Sequence, residues 1–76
     1  MELNQFIESF ASQFEETDAC EFTADTEFKS LDEWSSLMAL SIIAMVDEEF
    51  DIRIKGDDIR SSSTIEDLYH IVISKK

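Results

Sequence analysis

Two adjacent hydroxyls, Ser35 and Ser36, stand at the head of the most apolar stretch of this chain. That stretch runs from Leu37 through Val46 and closes on Asp47-Glu48-Glu49 before Phe50. A hydroxyl at a helix start lies where unpaired N–H groups and the helix dipole favour an anion, phosphate included. Serine is also a preferred N-cap, better than alanine by about 1 kcal/mol. Two adjacent serines leave one to cap and one to display its oxygen. On the residues alone, capping is the simpler account of both.

Other chemistry is thinly represented. Nucleophilic catalysis needs an activating base oriented by a third group. His70 is the only histidine and lies far in sequence from Ser36 and Cys20. Cys20 is the only cysteine, so neither an intrachain disulfide nor a cysteine-based zinc site is expected, in keeping with a reducing compartment. Nothing basic lies near it in sequence to activate the thiol. Gly56 is the only glycine, so there is no phosphate-cradling loop. Residues 47–58 lack the alternating oxygen ligands and central glycine of a calcium loop. No catalytic residue and no metal site is expected, and an enzyme is the weakest reading.

The elements that must position Ser35 and Ser36 follow from periodicity. Leu3, Phe6, Ile7, Phe10, Ala11 and Phe14 recur at helical spacing, which predicts an amphipathic helix ending near Glu15 or Glu16. From Thr17 to Trp34 no period is sustained. Phe22, Phe28, Leu31 and Trp34 are spaced to pin this long connection over the helices, with a short helical turn near Asp25 to Phe28. The second helix spans about Ser36 to Phe50. Its Met38–Ile42–Val46–Phe50 stripe faces a core, while Leu37, Leu40 and Ala44 lie roughly opposite. So small a domain can hardly surround a helix apolar on both faces, so part of the Leu37–Leu40 face is expected in solvent, where it would mark a contact site. Ile52 or Ile54 turns inward after it, and Gly56 is the position where a positive φ is least strained. Asp57 to Arg60 forms a short helical turn. Ser63-Thr64-Ile65-Glu66 reads as a capping box, Ser63 with Glu66. It opens a last helix on Ile65, Leu68, Tyr69 and Val72, with Lys75 and Lys76 at the end that suits cations.

Composition sets the frame. One domain is expected from 76 residues, a size that buries only about 60 % of the unfolded surface. With 43 % hydrophobic residues, six Phe, one Gly and no Pro, the chain suits helices rather than disorder or a turn-rich β fold. The formal charge of −12 disfavours nucleic acid and anionic membrane surfaces and favours basic patches on partner proteins. Solubility alone accounts for such a charge equally well. No basic segment followed by an apolar run opens the chain as a signal peptide would, and no apolar stretch is long enough to span a membrane.

The serine-headed stretch resembles the modification-site helix of acyl carrier proteins, whose pattern is Asp-Ser-Leu, an apolar helix, then Glu-Glu-Phe-Asp and an Ile. Ser36-Leu37 matches the Ser-Leu, and Glu48-Glu49-Phe50-Asp51 with Ile54 matches the end. The likeness extends over nearly the whole chain. Leu31-Asp32-Glu33-Trp34 is similar to specialised carriers outside housekeeping fatty acid synthesis, in which a Trp precedes the motif. Two positions depart: Ser35 stands where the family has Asp, and Ser41 where Glu is common. The first predicts weaker recognition by a standard phosphopantetheinyl transferase.

The resemblance implies an all-α, four-helix bundle with a long first loop and a short third helix, formed by residues 1–76 as a single carrier domain. It implies that Ser36 bears a 4′-phosphopantetheine arm donated by coenzyme A. The thiol of the arm would hold an acyl or aminoacyl group as a thioester in fatty acid or secondary metabolite biosynthesis. Ser35, Leu37, Leu40, Asp47 and Glu48 would contact partners: the transferase, an acyl- or aminoacyl-loading ligase, and transferase or synthase enzymes. Phe6, Ile7, Ile42, Val46 and Leu68 are candidates to shelter the acyl chain. A cytoplasmic monomer is expected. The competing reading is an unmodified, carrier-like helical interaction module.

Overall fold

The computed structural model describes residues 2–75, apart from the side chain of Ala19. Four α-helices, and no strand among the described residues, form the frame: α1 Leu3–Ala11, α2 Ser36–Phe50, α3 Gly56–Arg60 and α4 Ile65–Ser74. Helix α1 packs on α2 and α4, and α3 packs on α2 and α4. The principal extents are 30 × 23 × 21 Å. The all-α bundle with a long first loop and a short third helix is therefore present.

Helix α1 buries Phe6, Phe10 and Ala11 but stops at Ala11, one turn before the predicted end. The cause is Glu33. Its carboxylate accepts from the backbone N–H of Glu15 (3.0 Å), Glu16 (3.2 Å) and Thr17 (2.9 Å), and from Thr17 Oγ1 (2.9 Å). Those donors would otherwise continue the helix. Phe14 still reaches the core, carried by a tighter turn in which its N–H bonds the Ala11 carbonyl.

The connection from 12 to 35 has two 3₁₀ turns, Ala19–Glu21 and Phe28–Ser30, rather than one at Asp25 to Phe28. Its aromatics fasten it as expected. Phe28 packs edge-on to Phe10 (5.3 Å between centroids) and to Trp34 (5.0 Å), and Phe22 meets Phe14 at 4.9 Å. The loop also serves α4, because the first N–H groups of a helix have no partner within it. Ile65 N–H bonds the Thr26 carbonyl and Glu66 N–H the Ala24 carbonyl.

Three local expectations are corrected. The capping box of α4 is Thr64 with Asp67, one residue later than Ser63 with Glu66. Both registers fit the sequence pattern. The later one aligns Ile65, Leu68 and Val72 with the core, while the loop already occupies the Glu66 N–H. The left-handed residue is Asp51 (φ 56°), the C-cap of α2, and Gly56 simply begins α3. Aspartate tolerates that region better than most side chains. Both Ile52 and Ile54 turn inward. Lys75 ends α4 and pairs with Asp58 at 3.4 Å, and Lys76 lies outside the described residues.

Candidate functional site

Helix α2 divides the two serines between two jobs. Ser35 is extended (φ −156°) and its hydroxyl accepts from the Met38 N–H at 3.3 Å, so it is the N-cap. Ser36 is the first helical residue. It is exposed, and its Oγ takes no part in the capping bond. The displayed hydroxyl is therefore Ser36, at the positive end of a 15-residue dipole.

The apolar stretch splits as expected, with one adjustment. Ile42 and Val46 are fully buried, but Met38 and Phe50 are only half-buried, and Met45 joins the core in their place. Across the helix, Leu37 is 74 % exposed and Leu40 62 % exposed, and Ala44 is exposed too. Asp47 and Glu48 are exposed in the last turn, about 17–18 Å along the axis from Ser36 at 1.5 Å per residue. Ser36, Leu37, Leu40, Asp47 and Glu48 thus stand on one helix, the apolar pair nearer the hydroxyl. Asp47 lies 3.9 Å from the Arg53 guanidinium, a solvent-exposed pair of little energetic weight.

Beside Ser36 runs a groove of about 600 Å³, lined by both serines, Trp34, Ala39 and Leu40 on one side and by Gly56, Ile59 and Arg60 on the other, with Lys29 at its edge. Lys29 Nζ donates to the Arg60 carbonyl at 2.9 Å. Sequence reasoning missed Lys29, Gly56, Ile59 and Arg60, because no local pattern reports which distant segments meet at Ser36. A second groove, between α1 and the long loop, is lined by Leu3, Ile7, Ala11, Phe14, Cys20 and Phe22 among others. Of the residues expected to shelter an acyl chain, Phe6, Ile42, Val46 and Leu68 are packed solid in the core and line neither groove. Only Ile7 lines one.

No other constellation competes. His70 is exposed beside Tyr69, on α4. Cys20 is exposed and its thiol pKa is raised, first by the negative charge of Asp18, so it is the less reactive thiol form that is favoured. No cluster of metal-ligating side chains occurs among the described residues. Nor, among the described residues, is any helix long and apolar enough to cross a membrane.

An exposed serine at a helix start on a small four-helix bundle does not define a class by itself, since one fold hosts many functions; the comparison with known families does. The family described as "Phosphopantetheine attachment site" matches residues 4–72, and the chain belongs to it. No curated protein and no solved structure matches the chain. The family is non-catalytic, so the chain is a carrier rather than an enzyme. Its cofactor is covalently attached 4′-phosphopantetheine, and it works with a phosphopantetheinyl transferase and with biosynthetic enzymes.

Proposed function

We propose that residues 1–76 act as a single, specialised, monomeric and cytoplasmic carrier domain whose arm is joined to Ser36. The observation that carries the assignment is the division of labour at α2: Ser35 caps, and Ser36 is exposed at the first helical position. In the loading step the Ser36 Oγ–P bond forms as the pyrophosphate bond of coenzyme A breaks. The nucleotide half departs, and the hydroxyl proton passes to a base of the transferase.

The arm would supply a thiol able to carry an acyl or aminoacyl group as a thioester, placed there by a loading ligase and passed to transferase or synthase enzymes. Tethering raises the local concentration of the cargo at partner sites into the millimolar range or so without any new contact. Leu37 and Leu40 supply an apolar contact, with Ser35 beside it and Asp47 and Glu48 as the acidic rim.

Intact mass after incubation with coenzyme A and a broad-specificity transferase tests this reading. Wild type and Ser35→Ala should gain the arm, and Ser36→Ala should not. Gain by Ser36→Ala overturns the assignment. Failure of wild type with several transferases favours the unmodified interaction module, the reading that Ser35 in place of the family acid supports.

A further inference from the structure

The head of α2, which carries Ser36, has little packing of its own. Ser35, Ser36, Leu37 and Leu40 are exposed, Met38 and Ala39 are half-buried, and the first fully buried side chain is Ile42. No acid stands in the first turn to complement the dipole. Ser35 closes that turn: its hydroxyl accepts from the Met38 N–H at 3.3 Å and its carbonyl from the Ala39 N–H at 3.1 Å. Helix ends fray, so the position of Ser36 depends on how firmly the chain is held just before Ser35.

Two side chains supply that hold. Trp34 lies parallel to Phe10 and abuts Phe28, and its N–H bonds the Leu31 carbonyl at 3.0 Å. Glu33 reaches across to the chain leaving α1. Its carboxylate accepts from the N–H groups of Glu15, Glu16 and Thr17 and from the Thr17 hydroxyl, at 2.9 to 3.2 Å. Hydrogen bonds to a charged acceptor are roughly twice as strong as neutral ones. Trp34 provides contact area. Glu33 provides direction, since four donors converge on one carboxylate. It shares a hollow with Glu16, Glu21 and Asp32 and with no cation among the residues lining it, so these donors, not attraction between charges, keep it there.

Resting on the carrier reading above, we infer that Glu33 is a positioning residue for attachment of the arm: by tying the chain before α2 to the chain leaving α1, it holds Ser36 where the transferase can align the hydroxyl with the pyrophosphate of coenzyme A. The bond changes are those given above. The Ser36 Oγ–P bond forms, the P–O bond to the departing nucleotide half breaks, and the hydroxyl proton goes to a base of the transferase. Glu33 takes no proton in this step and acts through Trp34 and Ser35. Misplacing a reacting group by about 1 Å can cost about 10²-fold in rate. Disorder at the head of α2 therefore shows in turnover more than in binding, because Leu40 and the rest of the exposed face stay in place.

Wild type is compared with Glu33→Gln, Glu33→Met and Thr17→Val, and with two controls: Glu27→Gln, an exposed acid of the same loop, and Val72→Ala, a core truncation on α4. Loading from coenzyme A by a broad-specificity transferase is followed by intact mass to give kcat and KM, at a temperature where unfolding curves show every variant folded. The Glu33 variants should lose roughly five- to tenfold in kcat, with KM within about twofold of wild type. Both controls should load as wild type does. Thr17→Val should slow wild type by about twofold and leave Glu33→Met unchanged, since no bond remains there to remove. Amide exchange of the unloaded protein gives a reading independent of the transferase. Exchange at Met38 and Ala39, relative to Ile42, should rise by roughly fivefold in the Glu33 variants and not in Val72→Ala. Glu33 variants that load at the wild-type rate, a loss confined to KM, a loss matched by Val72→Ala, or an unchanged exchange ratio overturns the positioning role and leaves the carrier reading intact. Absence of loading in wild type overturns both.

Discussion

At the residue scale, the two serines divide the head of α2 between them, and only one of their roles was written in the sequence. Either could cap α2 by composition. The choice is made by the chain entering the helix in an extended conformation at Ser35, which turns that hydroxyl onto the Met38 N–H. The spacing from Ser36-Leu37 to Glu48-Glu49-Phe50 identified the displayed serine through its resemblance to carriers, not through local physics. Asp51 makes the same point in reverse: a positive φ is least strained at the sole glycine yet occurs at an aspartate, because the end of α2, not residue type, places the left-handed turn. Since Asp caps helices about as well as Ser, Ser35→Asp should keep the fold and restore the family's acid. The rate of arm transfer by a standard transferase, followed by mass spectrometry, should rise. An unchanged or slower rate would mean that this carrier is recognised by a different surface code.

At the element scale, α2 has a structural face and a free face, and they should respond differently to substitution. Ile42 is fully buried, so Ile42→Ala should cost about 2–5 kcal/mol, read by thermal or denaturant unfolding. Leu37→Ala and Leu40→Asp alter side chains largely in solvent. They should leave the unfolding midpoint close to wild type while slowing transfer to or from a partner. Phe50, half-buried, should cost less than Ile42 when truncated to Ala. If Leu40→Asp unfolds the protein as readily as Ile42→Ala, the free face does not exist. The helices were legible because burial imposes a period on them. Their ends were less so. The chain leaving α1 is held by a carboxylate 18 residues ahead of the first amide it takes, and the start of α4 by carbonyls of the long loop. The α2–α3 groove was invisible for the same reason, since Lys29 and Arg60 meet only after folding.

At the scale of the whole molecule, the long loop is a fastener held partly by acids. Burial tends to raise the Glu33 pKa, but the hydrogen bonds from Glu15, Thr17 and Glu16 together outweigh it and leave the carboxyl below its ordinary value of 4.5. Asp67 is held below its ordinary 3.8, first by the Ser63 N–H and then by that of Thr64. A depressed folded-state pKa contributes stability that is complete above the ordinary value and is lost as pH falls through the folded one. The net charge of −12 acts oppositely, since its self-repulsion eases as other carboxylates gain protons. The contribution of Glu33 is therefore read best as a difference. The midpoint of wild type should exceed that of Glu33→Gln above pH 4.5, and the gap should close under more acidic conditions. A gap independent of pH would show that the carboxylate's charge is not what fastens the loop.

Trp34 is the only tryptophan of the chain. It lies parallel to Phe10 (interplanar angle 2°), abuts Phe28 edge-on, and lines the wall of the groove next to Ser36. The molecule thus contains its own optical reporter, at the junction of the loop, the core and the groove beside Ser36. Indole emission responds to the polarity and quenching around the ring, so seating a chain in the groove should alter its wavelength or intensity with no label introduced. Loosening of the loop should alter it differently, by admitting water to the aromatic side. One spectrum, recorded in time, can therefore separate a change in the groove beside Ser36 from a loosening of the loop.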